Sequence, residues 1–216
     1  MELREAIRST GSVRQFRDEP VPAAVLAEIL DDARFAPSGG NRQPWRVAVI
    51  NDRAIRRQLA DLMRPTWDEY VAATREGTVP FNSIDYQPPA NIAEAPNPLL
   101  DQIDTIPVVL VVAADLRLIV ASDHELPRAA IVPGASVYPF CWNVMLAARS
   151  RRLGGVITTF LSRTEPQAGG ILNLPPDHAL AATIFLGHPI HQPTKLRRAE
   201  VASFASVDTF GGTAFG

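Results

Sequence analysis

Two continuous apolar runs of strand length constrain the fold of this sequence more than any other feature. PVVLVVAA occupies residues 107–114, and LAATIFLG occupies residues 180–187. Apolar runs that are rich in β-branched residues and lack polar alternation are typical of strands covered on both faces of a sheet. We therefore expect both runs to be inner strands of one sheet. A chain of 216 residues can bury such a core, so we expect a single domain over residues 1–216.

Helical periodicity accounts for much of the first half of the chain. Apolar residues recur at helical spacing in the first ten residues, and again over residues 25–33 behind Pro22, which suits a first helical turn. Residues 46–50 form a short apolar segment typical of a strand. Asp52 is a candidate N-cap for a third helix, and its buried side would include Ile55, Leu59 and Leu62.

The second half of the chain contains two further helical patterns. Residues 135–149 are apolar nearly all round and end in basic residues before Gly154, a pattern typical of a buried helix with a glycine stop. Ser162 and Glu165 have the spacing of a capping box, which predicts a short helix ending near Pro175. Because helices outnumber strands and do not alternate with them regularly, the pattern predicts the α+β class.

Two segments fit neither pattern. From residue 64 to residue 106 prolines interrupt the periodicity, except around residues 67–76. A connection of this length is typical of a lid or of a dimer element, and we expect one of the two here. Residues 199–216 are predicted to form an extended C-terminal arm.

Composition and charge exclude several classes of protein. With 21 basic and 23 acidic residues the formal net charge is -2, so there is no global attraction for nucleic acid and none is expected as a partner. A single cysteine, Cys141, rules out an intrachain disulfide and suits a reducing cytoplasm. The first ten residues carry charges where a signal peptide would be apolar, and no apolar run approaches about 20 residues. We expect a cytoplasmic protein with no membrane partner.

The common catalytic and nucleotide-binding motifs are absent. The sequence contains no GxGxxG, GxxxxGK, HExxH or GxSxG pattern. His188 and His191 stand three residues apart, but Pro189 between them argues against one helical face, and no cysteine or carboxylate lies near them in sequence. No metal site is predicted.

Basic and amide side chains suit an anionic, planar ligand that forms hydrogen bonds. SVRQFR, residues 12–17, lies near the start and KLRR, residues 195–198, near the end. If the fold brings them together, their guanidinium and ammonium groups can bind a phosphate monoester. The alternative is two solvated charge clusters. SGGNRQ, residues 38–43, offers small residues and two amides for a ligand, or is an ordinary turn.

Taken together, these segments resemble the motifs of the FMN-dependent nitroreductase family in their order, spacing and amino-acid sequence. The matching stretches are SVRQFRDEPVP, then ILDDARFAPSGGNRQPW, then LGGVITTF, then a glycine-terminated strand followed by KLRR. The first motif of that family commonly reads Arg-Arg-Ser-x-Arg. The second reads Ala-Pro-Ser-x-x-Asn-x-Gln-Pro-Trp and is the more specific. The resemblance spans nearly the whole chain.

The resemblance implies a nitroreductase-like fold, in which a mixed but mainly antiparallel sheet is flanked by helices, in an interlocked homodimer with FMN bound by both subunits. Residues of one subunit would hold the phosphate and the flavin pyrimidine edge, and the loop at residues 38–43 of the other subunit would complete the site. Backbone at Thr158 and Thr159 would lie against the far side of the flavin. The residues so implied are Ser12, Arg14, Lys195 and Arg197 from one subunit and Ser38, Gly39, Gly40, Asn41 and Gln43 from its partner.

The implied activity is hydride transfer from NADH or NADPH through FMN to a small electron-poor acceptor, such as a nitroaromatic or a quinone, by a ping-pong mechanism. The resemblance assigns no strictly catalytic side chain, and residues 64–106 would set the choice of acceptor. Two other functions stay open. One is flavin storage or sensing without turnover, and the other is flavin-dependent dehydrogenation of another small substrate.

Four positions depart from the family pattern. Thr10 and Gly11 stand where two basic residues are common, and Arg152 stands where a glycine is usual before Leu-Gly. Trp142 occupies a helix position that often holds glutamine, and we expect its side chain to pack in the core. The customary Arg-Trp ending is replaced by DTFGG at residues 208–212.

Overall fold

A four-stranded sheet organises the chain, which a computed structural model describes over residues 1–216. The strands are β1 (Trp45–Val49), β2 (Val108–Asp115), β3 (Gly154–Thr158) and β4 (His178–Gly187), in the order β1-β2-β4-β3. All neighbouring strands are antiparallel. The two apolar runs form the inner strands β2 and β4, as predicted.

Helices cover both faces of the sheet. They are α1 (Leu3–Ser9), α2 (Ala23–Ala33), α3 (Arg53–Arg75), α4 (Pro98–Asp101), α5 (Tyr138–Ser150) and α6 (Glu165–Leu172). Side chains alternate along β2, so that Leu110 and Val112 pack with α2 and α5, whereas Val109 and Val111 pack with α3, α4 and α6. This double cover explains why the sequence of β2 is apolar throughout. The predicted α+β class is confirmed.

Helix α3 is longer than the sequence predicts. Asp52 caps it as expected, since its carboxylate accepts hydrogen bonds from the backbone N–H groups of Ala54 (2.7 Å) and Ile55 (3.0 Å). The helix then continues through Pro65 to Arg75, so the expected break at residue 64 is wrong. A proline inside a helix costs about 3 kcal/mol. Here the buried face continues beyond it through Thr66, Ala72 and Ala73, and this packing offsets the cost.

Two details of the second half correct the prediction. The capping box is absent, because the Ser162 hydroxyl donates to the Thr159 carbonyl and the Glu165 carboxylate accepts from the Leu180 N–H (2.6 Å). Helix α6 nevertheless forms. Helix α5 begins at Tyr138, after a 3-10 segment at Val132–Ser136. Trp142 on α5 is 40% exposed, so the expectation that it packs in the core of its own chain is wrong.

The remaining segments have little regular structure. Between α3 and α4 the chain is irregular, and a 3-10 turn at Ile103–Thr105 leads to β2. Residues 199–216 form an exposed arm with one 3-10 turn, Val201–Ser203. Arg152, at the glycine position after α5, has a φ of 63°. None of the helices combines the length and the apolarity needed to cross a membrane.

Candidate functional site

The site begins where the segment after α1 meets the edge of the sheet. Ser12 pairs in parallel with Gly155 of β3, and the Val13 N–H donates to the Gly155 carbonyl (2.8 Å). Gly154 and Gly155 are required there, because a Cβ on Gly154 would lie 2.6 Å from the Val13 side chain. Beyond Val13 the pairing stops, and Arg14 and the end of β3 line a shared cavity.

Two adjoining cavities occupy this region. The first, of about 260 Å³, lies along the end of β3, and the second, of about 280 Å³, lies beside Ser12 and His191. The two share a wall made by Arg14, Trp67, Asn97 and Leu99. Together they form a groove within the usual size range of small-ligand sites, about 300–1,000 Å³.

The groove carries unopposed positive charge. Arg14 lines both cavities, and no aspartate or glutamate lines either of them. The Arg14 guanidinium takes part in none of the ion pairs of the chain, all of which involve other basic residues. A free guanidinium without a carboxylate partner suits an anionic group on a ligand.

Thr158 and Thr159, both predicted from sequence, lie on this groove. Ile157 and Thr158 lie on the outer strand of the sheet, where pairing with Ser12 has ended. The Thr159 N–H has no partner among the hydrogen bonds of loops and turns. Backbone groups at a free edge of this kind can bond to a planar ligand.

Asn97 lines both cavities, although its sequence context provides no reason to expect it there. Its side chain is 7% exposed, and its carbonyl oxygen accepts from the N–H groups of Leu99 (3.1 Å) and Leu100 (3.3 Å) as the N-cap of α4. The amide nitrogen donates no hydrogen bond within the chain, so its N–H groups are left for a ligand. The sequence Asn-Pro-Leu-Leu at residues 97–100 is typical of a helix N-terminus with Asn as N-cap, and no other feature of the sequence indicated a role for Asn97.

The aromatic wall of the first cavity was missed as well. Trp67 and Tyr70, one turn apart on α3, and Phe160, just after β3, line it. Trp67 and Tyr70 lie in the segment expected to set the choice of acceptor, and Phe160 follows Thr159 directly, but none of the three was singled out from the sequence. Only the extension of α3 through Pro65 brings Trp67 and Tyr70 to the site.

The C-terminal segment runs beside the N-terminal one. The Arg17 N–H donates to the His188 carbonyl (2.8 Å), and the Ile190 N–H donates to the Gln15 carbonyl (3.1 Å). Lys195 and Arg197 lie just beyond, exposed and in no ion pair. Neither lines the two cavities, so their role toward a phosphate stays a prediction.

Two departures from the family pattern have structural roles. The Thr10 hydroxyl donates to the Ala6 carbonyl (2.7 Å), and the Thr10 side chain is buried. A Cβ on Gly11 would lie 2.9 Å from Leu196 Cδ2 and 2.9 Å from Pro193 Cβ. These two positions therefore pack the terminal segments together and offer no charge to a ligand.

The loop at residues 38–43 is held in an uncommon backbone conformation. Gly40, Asn41 and Gln43 all have positive φ, at 61°, 53° and 49°. The Ser38 hydroxyl accepts from the Gln43 N–H (2.9 Å), and the Ser136 hydroxyl accepts from the Gly39 N–H (3.0 Å). The Asn41 and Gln43 side chains are exposed, and no residue of this loop lines either cavity of its own chain.

The largest cavity of the chain lies elsewhere. Its volume is about 720 Å³, and it is lined mainly by residues 114–139 and 179–181, without any charged side chain. An anionic, hydrogen-bonding ligand gains little from such a lining. The smaller groove around Arg14 is therefore the candidate site.

Several known proteins are similar to this chain in sequence. Residues 7–188 match the model of the Nitroreductase family. A nitrobenzene nitroreductase of Ectopseudomonas oleovorans is 30% identical over 206 residues, which cover 85% of each chain. A shorter stretch is 41% identical to an NADH dehydrogenase of Thermus thermophilus over 61 residues, covering 28% of this chain and 30% of that protein.

Among solved structures, a putative nitroreductase of Desulfovibrio desulfuricans in complex with FMN has a similar fold. The TM-score is 0.69 at 22% sequence identity, and the match covers 96% of each chain. This likeness shows that the two chains share a fold.

Proposed function

Since this chain belongs to the Nitroreductase family, we propose that it is an NAD(P)H-dependent FMN oxidoreductase that passes a hydride to a small electron-poor acceptor. One observation carries the proposal. The two adjoining cavities share an unpaired arginine and a free amide donor and have no carboxylate in their walls. A flavin needs hydrogen-bond donors and a positive charge near its pyrimidine edge, and this groove offers both kinds of group.

The donor set fits FMN. Arg14 would lie by the pyrimidine edge, Asn97 would donate its free amide N–H, and the backbone at Thr158 and Thr159 would bond from the β3 edge. When bound, FMN supplies a two-electron centre that accepts a hydride and then donates it. A fixed guanidinium near the developing negative charge makes that centre a better hydride acceptor. Arg14 is the group of this chain that fills that role.

The phosphate would lie toward the paired terminal segments. Ser12, His191 and Pro193 line the second cavity. Lys195 and Arg197 follow Pro193 closely in the chain. Thr10 and Gly11 are committed to packing, so the positive charge would come from the C-terminal side, with Arg8 in the last turn of α1 as the alternative. In the proposal Lys195 and Arg197 hold the phosphate.

We further propose a homodimer in which the loop at residues 38–43 reaches the partner's flavin. The loop exposes the Asn41 and Gln43 side chains, yet none of its residues lines the cavities of its own chain. Helices α1 and α5 also expose apolar side chains, which a partner would cover. These are Leu3, Ile7, Tyr138 and Trp142.

The chemistry requires no nucleophile or general base from the protein. The only cysteine, Cys141, is fully buried between α5 and the sheet, and burial raises the pKa of its thiol to about 12. It therefore stays a neutral thiol away from the groove. The protein's part is to bind, orient and tune the flavin, and reduction by NAD(P)H and oxidation by the acceptor follow in turn.

An anaerobic absorbance titration tests the proposal. Purified protein saturated with FMN should be yellow, should bleach on addition of NADH or NADPH, and should recover its colour with nitrobenzene or a quinone. Protein that binds FMN but is not bleached would favour storage or a different reductant. Protein that stays colourless after FMN is added and excess is removed would exclude every flavin-dependent function.

A further inference from the structure

Three aromatic rings form a wall of the cavity that Arg14 lines. Trp67 and Tyr70 are stacked, with ring centroids 6.0 Å apart and planes 12° apart. Phe160 is tilted against both, at 6.0 Å from Trp67 and 5.6 Å from Tyr70. All three residues line the same cavity as Thr158 and Thr159. A planar aromatic molecule can pack against such a wall.

Tyr70 differs from the two other tyrosines of the chain in the hydrogen bonding of its hydroxyl group. The Tyr86 hydroxyl donates to the Glu69 carboxylate (2.9 Å), and the Tyr138 hydroxyl donates to the Ala181 carbonyl (3.3 Å). The Tyr70 hydroxyl has no partner within the chain, and the side chain is 38% exposed. A phenol on a cavity wall is thus free to donate a hydrogen bond to a ligand.

The surroundings fix the position of this wall. The Trp67 indole N–H donates to the Ala95 carbonyl (3.1 Å), and the Asp68 carboxylate accepts from the Ala95 N–H (2.8 Å). Next to Tyr70, Glu69 bonds both Tyr86 and Arg163. These contacts fix the Trp67 ring and the part of α3 that carries Tyr70, so the wall is in place before a ligand binds.

We propose that Tyr70 is an acceptor-binding residue that selects planar aromatic acceptors with an in-plane oxygen. Its ring would lie beside the acceptor, and its hydroxyl would donate a hydrogen bond to a nitro or carbonyl oxygen. Such oxygens only accept, so a free donor recognises them, whereas a hydrocarbon ring of the same size gains only packing. This inference rests on the proposed function, since it places the acceptor next to the bound flavin, at the end of the groove that Trp67, Tyr70 and Phe160 line.

Binding of unreacted ligands tests the proposal without turnover. Nitrobenzene and toluene are titrated by calorimetry into the oxidised, FMN-loaded protein with no NAD(P)H present. The unchanged protein should bind nitrobenzene more tightly than toluene. Tyr70→Phe keeps the ring and removes the hydroxyl, so it should weaken nitrobenzene binding about three- to tenfold and leave toluene binding unchanged. The KM for nitrobenzene should rise by the same factor, with kcat within about twofold.

Tyr86→Phe is the matched control, because it removes a hydroxyl that already bonds Glu69 and does not line the cavity. It should leave the affinity for both ligands unchanged. Tyr70→Leu should weaken both, since it also removes the ring. Unchanged nitrobenzene affinity in Tyr70→Phe, or an equal loss in Tyr86→Phe, would overturn the role of Tyr70.

Anaerobic bleaching of the same samples separates this inference from the proposed function. If NAD(P)H bleaches Tyr70→Phe as it does the unchanged protein while nitrobenzene affinity is unaltered, only the inference fails. If the unchanged protein binds no FMN or is not bleached, the proposed function fails, and with it the assignment of an acceptor to this cavity.

Discussion

Leu196 lies directly against Gly11, so that a Cβ added to Gly11 would lie 2.9 Å from Leu196 Cδ2. This contact joins the C-terminal segment that carries Lys195 and Arg197 to the segment that carries Ser12 and Arg14.

Gly11→Val should displace the C-terminal segment and weaken FMN binding about tenfold or more, because overpacking of this kind costs about 1–3 kcal/mol. Riboflavin, which lacks the phosphate, should lose less affinity. FMN fluorescence titration gives both dissociation constants. Gly170→Ala is the matched control, since a Cβ there meets nothing within 4 Å. Equal FMN affinity in the two variants would contradict the role of this contact.

Arg197→Ala should weaken FMN binding about tenfold to a hundredfold, since a charge-assisted hydrogen bond is typically worth about 1.5–3 kcal/mol. Riboflavin binding should hardly change. Arg75→Ala removes an exposed arginine at the end of α3 and serves as the control. If Arg197→Ala weakens FMN and riboflavin equally, Arg197 does not contact the phosphate.

Arg14→Leu should lower the reduction potential of bound FMN and slow its reduction by NAD(P)H even at saturating FMN, because the positive charge near the developing negative charge is lost. Asn41→Ala or Gln43→Ala should remove neutral hydrogen bonds worth about 0.5–1.5 kcal/mol, and added FMN should restore much of the rate. Spectroelectrochemistry and stopped-flow absorbance distinguish the two kinds of loss.

Mixing Arg14→Leu with Asn41→Ala tests whether both subunits build one site. In a mixed dimer both changes would fall on one flavin site and leave the other intact. Activity at limiting FMN should then exceed the average of the two parents. If subunits exchange and no gain is seen, Arg14 and Asn41 do not meet the same flavin from opposite subunits.

Acid should loosen the segment that holds the loop at residues 38–43. The Asp123 carboxylate accepts from the N–H groups of Ile131 (2.8 Å) and Val132 (3.3 Å) and pairs with Arg128 (2.7 Å). The backbone hydrogen bond from Ile131, with further help from Arg128, lowers the pKa of Asp123 to about 2. The carboxylate therefore stabilises the fold fully above its ordinary pKa of about 3.9, and this contribution is lost as the pH falls toward 2.

Asp123→Asn should remove this dependence, so near-UV circular dichroism of the variant should change less between pH 5 and pH 2 than that of the unchanged protein. The variant should be less stable at pH 7. An identical acid profile in both proteins would show that Asp123 does not control this region.

The sequence predicted the parts of the fold that depend on local pattern. The inner strands β2 and β4 and helices α1 and α2 follow directly from apolar periodicity. Pro65 indicated an interruption of α3, but the helix continues through it, because the packing of the residues beyond the proline outweighs the free-energy cost of a proline inside a helix. Trp142 was misplaced for a different reason, since an apolar residue on an apolar helix looks the same whether its own chain or a partner covers it.

The candidate site was only half predictable for a similar reason. Arg14, Thr158 and Thr159 were found because they lie in recognisable motifs. Asn97, Trp67 and Tyr70 were not, because nothing in their local sequence shows that they meet Arg14 in the tertiary structure. No local pattern records which side chains a cavity brings together.

The strip formed by residues 188–196 also fixes an order of events during synthesis. This strip covers residues 9–17, and residues 9–17 leave the ribosome long before the strip does. A nascent chain that ends at Gly187 therefore contains all four strands of the sheet, but its residues 9–17 are still uncovered. Domains generally fold as units as they are made. If Lys195 and Arg197 hold the phosphate as proposed, flavin loading would follow the folding of the sheet, because it needs residues 188–196 in place as well.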